Sequence, residues 1–186
     1  MLTEEKVLKN TEKYFKTGEK YKFMTDELME FLGQDFIKAP ASTATNLHNA
    51  FTGGLIAHLL LVTKYAVSIN SILPEDLKVD SGSLIKVCLL HQIGKAKLYK
   101  SHTSKWHNDR GIMYEFNEEL VSMRVGERSA YYAVSNGVTL TDDEYQAIIN
   151  HDKDDSDKQS KWHSETLAVI LKQANELAIM EEKTTV

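Results

Sequence analysis

The stretch Leu55-Ile56-Ala57-His58-Leu59-Leu60-Leu61-Val62-Thr63-Lys64-Tyr65-Ala66-Val67-Ser68-Ile69 decides the fold class. Its apolar residues occupy more than one side of a helix, and a helix of that kind is stable only when other elements surround it. Ser83-Leu84-Ile85-Lys86-Val87-Cys88-Leu89-Leu90-His91-Gln92-Ile93 has the same character, and Pro74 and Gly82 punctuate the connection. These two segments are the expected core pair. Working outward, residues 3–16 and 24–32 read as amphipathic helices, with Val7, Leu8, Tyr14 and Phe15 on one stripe and Leu28, Phe31 and Leu32 on another. Residues 33–45, with Pro40 and several small hydroxyl residues, read as a loop.

Beyond the core pair the pattern loosens. Residues 94–120 hold Lys, His, Trp and Tyr with a short alternation around Tyr114 and Phe116, which suggests a strand pair near 97–117 or an irregular loop. Residues 127–135 predict a helix stopped by Asn136-Gly137, a pair suited to left-handed termination. Thr141 followed by Glu144 has capping-box spacing for a helix ending near His151. Residues 152–161 form a charged run, and residues 165–182 form a periodic terminal helix whose apolar face includes Leu167, Ile170, Leu171, Ala174, Leu177 and Ala178. The expected fold class is all-α, one domain over 1–186, with N-terminal helices 1–38 packed on a 40–180 core.

Composition agrees. The chain has 186 residues, 42% of them hydrophobic, with only 2 Pro and 9 Gly, too few turn residues for an all-β sandwich. Lys plus Arg number 22 against 27 Asp plus Glu, so the net charge of -5 disfavours a general grip on nucleic acid. The one cysteine, Cys88, excludes an intramolecular disulfide framework and reads as a small core residue in a reducing compartment. The N-terminus starts with acidic residues instead of a basic signal region, and the apolar runs 55–62 and 84–90 are shorter than the roughly 20 residues that cross a bilayer. A cytoplasmic protein with no membrane partner is expected.

Seven histidines in an acidic chain invite a metal reading, since neutral imidazole suits Zn, Ni and Co. His102, His107 and His163 lie in polar sequence and read as surface or half-buried. His58 and His91 sit in apolar helices, where an imidazole needs a partner. The acidic run starting at Asp152 lacks the Gly and the terminal Glu of a calcium loop, because those places hold Asp157 and His163. Lys95, Lys97, Lys100, Lys105 and Arg110, interleaved with Tyr99, Trp106 and Tyr114, read either as a nucleotide-stacking surface or as a solvated loop. Trp106, Tyr131 and Tyr132 read as exposed aromatics.

The run His48-Asn49-Ala50-Phe51-Thr52-Gly53-Gly54-Leu55-Ile56-Ala57-His58, followed by Leu89-Leu90-His91-Gln92-Ile93-Gly94-Lys95, resembles the HD superfamily of metal-dependent phosphohydrolases. Pro40-Ala41-Ser42, Gly126-Glu127-Arg128-Ser129, Leu140-Thr141 ahead of His151, and Gln173-Ala174-Asn175 extend the likeness over about residues 40–178, toward a branch often encoded by bacteriophages. The resemblance implies an all-α bundle in which His58 and His91 ligate metal and His151 is a further ligand or phosphate contact. It also implies that Lys95 faces a substrate phosphate, with Arg128 a second candidate phosphate contact. The pattern departs where the family has its carboxylates: Gln92 replaces the Asp of the His-Asp pair, Asn175 replaces the late Asp, and Val125 stands where active relatives often have His.

Two neutral amides in place of carboxylates leave a cradle two charges less negative, so Mg and Mn should bind poorly. Without a metal there is no acidified water and no polarised phosphoryl oxygen. The leading expectation is therefore a metal-poor, catalytically impaired domain whose ligand-binding set is His48, His58, His91, Gln92, Lys95, His151 and Asn175. It would hold a nucleotide or other phosphate compound, or present a surface to a protein partner, with phage-type host interference as one setting in the host cytoplasm. Nucleic acid ranks below these partners. One alternative is an active nucleotide phosphohydrolase in which His58, His91 and His151 hold Zn, Ni or Co in preference to Mg or Mn. Another is a purely structural or interaction domain.

Overall fold

A computed structural model of the chain describes residues 2–153 and 164–184. Residues 154–163, which hold most of the charged run 152–161 and of the rejected calcium loop together with His163, lie outside the described residues. The elements are α1 (Glu4–Lys20), α2 (Asp26–Lys38), α3 (Gly54–Ile72), α4 (Ser81–Leu90), β1 (Tyr99–Ser101), α5 (Lys105–Asn108), β2 (Tyr114–Phe116), α6 (Val125–Ser135), α7 (Asp142–Asn150) and α8 (Thr166–Thr184), with single 3-10 turns at Glu75–Leu77 and Ile93–Lys95. The fold is all-α with one short antiparallel ribbon, in which Tyr99 pairs with Phe116 and Ser101 with Tyr114.

Helix α3 is central, packing against α1, α2, α4 and α8. Leu55, Ile56, Leu59, Val62 and Ala66 are buried on it, as its all-round hydrophobicity requires. It is longer than its most apolar run: over 19 residues it has the length and composition that could cross a membrane, and here it packs against four helices while Val67 and Ile72 stay exposed. Helix α1 is tied to α4 where the buried Tyr14 hydroxyl donates to Leu89 O at 3.0 Å. Helix α6 packs on α7 and on the 93–95 turn, and α7 packs on α8.

Caps follow the sequence signals. Thr3, Thr25, Asp80 and Thr141 each accept a backbone N–H at the start of a helix, and Thr141 with Glu144 forms a complete capping box. Helix α6 ends at Asn136, and Gly137 follows with φ +84°. Gly53, at φ +78°, admits the tight entry into α3, and a Cβ on Gly54 would stand 2.1 Å from Asn49 O.

Three expectations are corrected. Residues 33–45 are not all loop: Gly33, at φ 47°, kinks α2, which resumes to Lys38 because Phe36 is a buried core anchor. Helix α4 stops at Leu90 and not at Ile93, with His91 as its C-cap and Gln92 at φ -122° turning the chain. Tyr132 is buried, because its place on α6 sets the ring against Phe31 at 4.7 Å between centroids. Trp106 and Tyr131 are exposed as expected.

Candidate functional site

The fold gathers four of the histidines into a row. His48 comes from the loop before α3, His58 from α3, His91 from the end of α4 and His151 from the end of α7. Neighbouring ring centroids lie 5.0, 6.1 and 4.7 Å apart. His58, His91 and His151 are buried, and Gln92, Lys95 and Asn175 are buried beside them. The local reasons are plain. The Gly53-Gly54 turn starts α3 one turn before His58, and the early end of α4 turns His91 and Gln92 inward. Asn175 lies on the inner stripe of α8 with Leu171 and Ala178.

Asn175 Oδ1 is the hub. It lies 3.0 Å from His58 Nε2, 3.2 Å from Gln92 Nε2 and 3.4 Å from His91 Nε2. The contacts of the opposite ring nitrogens select the tautomers. His91 Nδ1 donates to Cys88 O at 2.8 Å and His151 Nδ1 to Ile148 O at 2.7 Å. Each neutral ring therefore keeps a lone pair on Nε2, so Asn175 Oδ1 receives its hydrogen bonds from Gln92 and His58, and not from His91.

Glu182, which sequence reasoning missed, lies on the other side of His58. Its Oε2 is 2.9 Å from His58 Nδ1, and its Oε1 accepts from Asn49 Nδ2 at 2.7 Å. The signal was present: Glu182 continues the stripe Leu171, Asn175, Ala178 by one further turn, a carboxylate on an otherwise buried face. Asn49 is held at φ 46°, a conformation Asn tolerates better than most residues.

Burial dominates the electrostatics. It lowers His58 to about 3, with the nearby Lys95 ammonium adding to the effect, and lowers His48 to about 3 and His151 to about 4. His91 falls well below the ordinary imidazole value for the same reason, with His151 and His58 as further contributors. Burial raises Glu182 to about 8 against the opposing pull of Lys95, and lowers Lys95 to about 8 against the pull of Glu182 and Asp152. Near pH 7, Glu182 and His58 thus share one proton as a neutral pair. The carboxyl O–H donates to Nδ1, which leaves Nε2–H to donate to Asn175.

The remaining predicted residues divide. Lys95 Nζ donates to Ala41 O at 2.7 Å within the centre. Arg128 is buried on α6: one guanidinium nitrogen donates to Val121 O at 2.5 Å, and its Nε has no partner among the described residues. His102 and His107 are half-buried and stack on each other at 4.0 Å, away from the row. The cation-aromatic run is dispersed. Arg110 covers its own Trp106, Lys97 lies over Phe31 and Lys100 pairs with Glu119. Lys97, Lys100, Tyr99 and Tyr114 line one cleft of about 540 Å³.

No protein-family model, curated protein or solved structure matches this chain. The chemistry has to be argued from the site. Gln92 and Asn175 offer a hard cation amide oxygens beside the imidazoles, and Glu182 holds its proton near neutral pH.

Proposed function

We propose that this chain is a catalytically impaired, metal-poor domain of the HD phosphohydrolase type that uses its polar centre to bind a phosphate-bearing small molecule, a nucleotide foremost. One observation carries the reading. Asn175, standing where the resemblance puts a metal-binding carboxylate, is neutral and already accepts from His58 and Gln92. Magnesium or manganese entering there would have to displace those bonds and would gain a neutral amide oxygen from Asn175 in return. Lys95 supplies the buried positive charge that an anionic ligand needs, although its ammonium must first yield its bond to Ala41 O. A phage-type role in the host cytoplasm, through nucleotide sequestration or contact with a host protein, fits such a receptor.

The test is titration of the metal-stripped protein with a panel of nucleoside mono- and triphosphates and with inorganic phosphate, followed by calorimetry. Saturable binding is expected, weakened about tenfold or more in Lys95→Met, with no phosphate release. Stoichiometric Mn or Fe in the purified protein would overturn the reading.

A second reading has its own support. His91 and His151, with ring centroids 4.7 Å apart, each keep an Nε2 lone pair, a donor that a softer ion such as Zn, Ni or Co accepts. Phosphate release abolished by a chelator and by His91→Ala would favour that hydrolase.

A further inference from the structure

We propose that His48, His58 and Glu182 form a binding site for one borderline divalent transition ion, zinc foremost, reached through the Nδ1 side of His58. This site is separate from the Asn175 side on which the functional reading rests, and zinc here leaves that side without magnesium or manganese, the ions that reading excludes. Ring nitrogens of His48 and His58 and a carboxylate oxygen of Glu182 all lie within 4.8 Å of one another. A tetrahedral zinc with bonds of about 2.0–2.2 Å sets its ligands about 3.3–3.6 Å apart, so the 2.9 Å edge between His58 and Glu182 must open slightly while any edge near 4.8 Å shortens. His58 Nδ1 and Glu182 Oε2, at 2.9 Å, are already close, and His48 is on a loop that can adjust more readily than either helix.

An independent observation points to a ligand. His48 Nε2 is buried without a hydrogen-bond partner among the described residues, beside the His58 ring. Buried polar atoms are nearly always satisfied, and a metal bond would satisfy this one. The support around the carboxylate has the same logic: Asn49 Nδ2 holds Oε1 at 2.7 Å and leaves Oε2 facing His58. Outer hydrogen bonds of this kind orient the ligands of metal centres. Two imidazoles and one carboxylate suit zinc, nickel or cobalt better than magnesium, and a water would complete four-coordination. On binding, the proton shared by Glu182 and His58 passes to solvent as the ion takes both lone pairs. Lys95 lies near enough to act on Glu182 and His48, so the ion competes with its charge.

The test titrates chelator-stripped protein with Zn²⁺ and, in parallel, with Co²⁺, whose visible bands report tetrahedral ligation. Wild type is compared with Glu182→Gln, His48→Gln and His151→Gln, with circular dichroism confirming that each is folded. One zinc per chain is expected, with affinity reduced about 100-fold or more in Glu182→Gln and His48→Gln and within about threefold of wild type in His151→Gln. Absence of zinc binding to wild type would overturn the inference while leaving the nucleotide reading intact. Zinc lost in His151→Gln but kept in Glu182→Gln would also overturn it, placing the ion with the Nε2 atoms of His91 and His151. Should one substituted chain fail to fold, the other and the wild-type cobalt spectrum still decide.

Discussion

The proton held between Glu182 and His58 makes a pH signature at the level of single residues. Glu182 has a folded value of about 8 against an ordinary 4.5, so the folded chain keeps a proton that the unfolded chain has released. Its contribution to stability is full below pH 4.5 and is lost as pH rises toward 8. The imidazoles act in the opposite sense: His48, His58 and His151 lie at about 3, 3 and 4 and His91 well below 6.5, so their contribution is full above pH 6.5 and is lost as pH falls. Between pH 6.5 and 5 four imidazoles outweigh one carboxyl, and acid should destabilise the protein. Gln mimics a protonated Glu182, donating to His58 and accepting from Asn49. From pH 6 to pH 8, Glu182→Gln should therefore gain about 2 kcal/mol on the wild type in urea denaturation, since the slope of about 1.36 kcal/mol per pH unit flattens as pH nears the folded value of about 8. Parallel stability curves for the two proteins would contradict the shared-proton arrangement.

At the level of elements, helix identity was legible wherever local chemistry sets it. Thr141 with Glu144 announced α7, Asn136-Gly137 announced the end of α6, and the all-round apolar run announced α3. What local chemistry does not set was missed. The kinked half of α2 after Gly33 is held by burial of Phe36, and Tyr132 is turned inward by Phe31 on a different helix. Glu182 escaped because its partner, His58, is 124 residues away. The tightest junction is the entry to α3, which also aims His58. Gly54→Ala should destabilise by about 2–4 kcal/mol, since its Cβ would stand 2.1 Å from a backbone oxygen that also accepts from Ala41 N. Thr141→Ala should lose only the capping box, about 1 kcal/mol. Thermal unfolding of the two variants checks the ranking, and equal effects would show that the α3 junction relaxes freely.

For the whole molecule, helices from both ends of the sequence bring one polar centre into an apolar bundle, and the balance of charge there decides what it can hold. His48, His58, His91 and His151 line up with Lys95 close by, Gln92 and Asn175 are amides, and the nearby carboxylate, Glu182, holds a proton near neutral pH. The all-α class could be read from the sequence, and the candidates His58, His91, Gln92, Lys95, His151 and Asn175 are all buried. The amide hub and the Glu182 contact could not be read there, because both are made across helices that only packing brings together. The most direct test is metal content after manganese equilibration, comparing wild type with the double variant Gln92→Asp, Asn175→Asp. The account predicts negligible Mn in wild type and near-stoichiometric Mn in the double variant. Stoichiometric, tightly held Mn in wild type would contradict it.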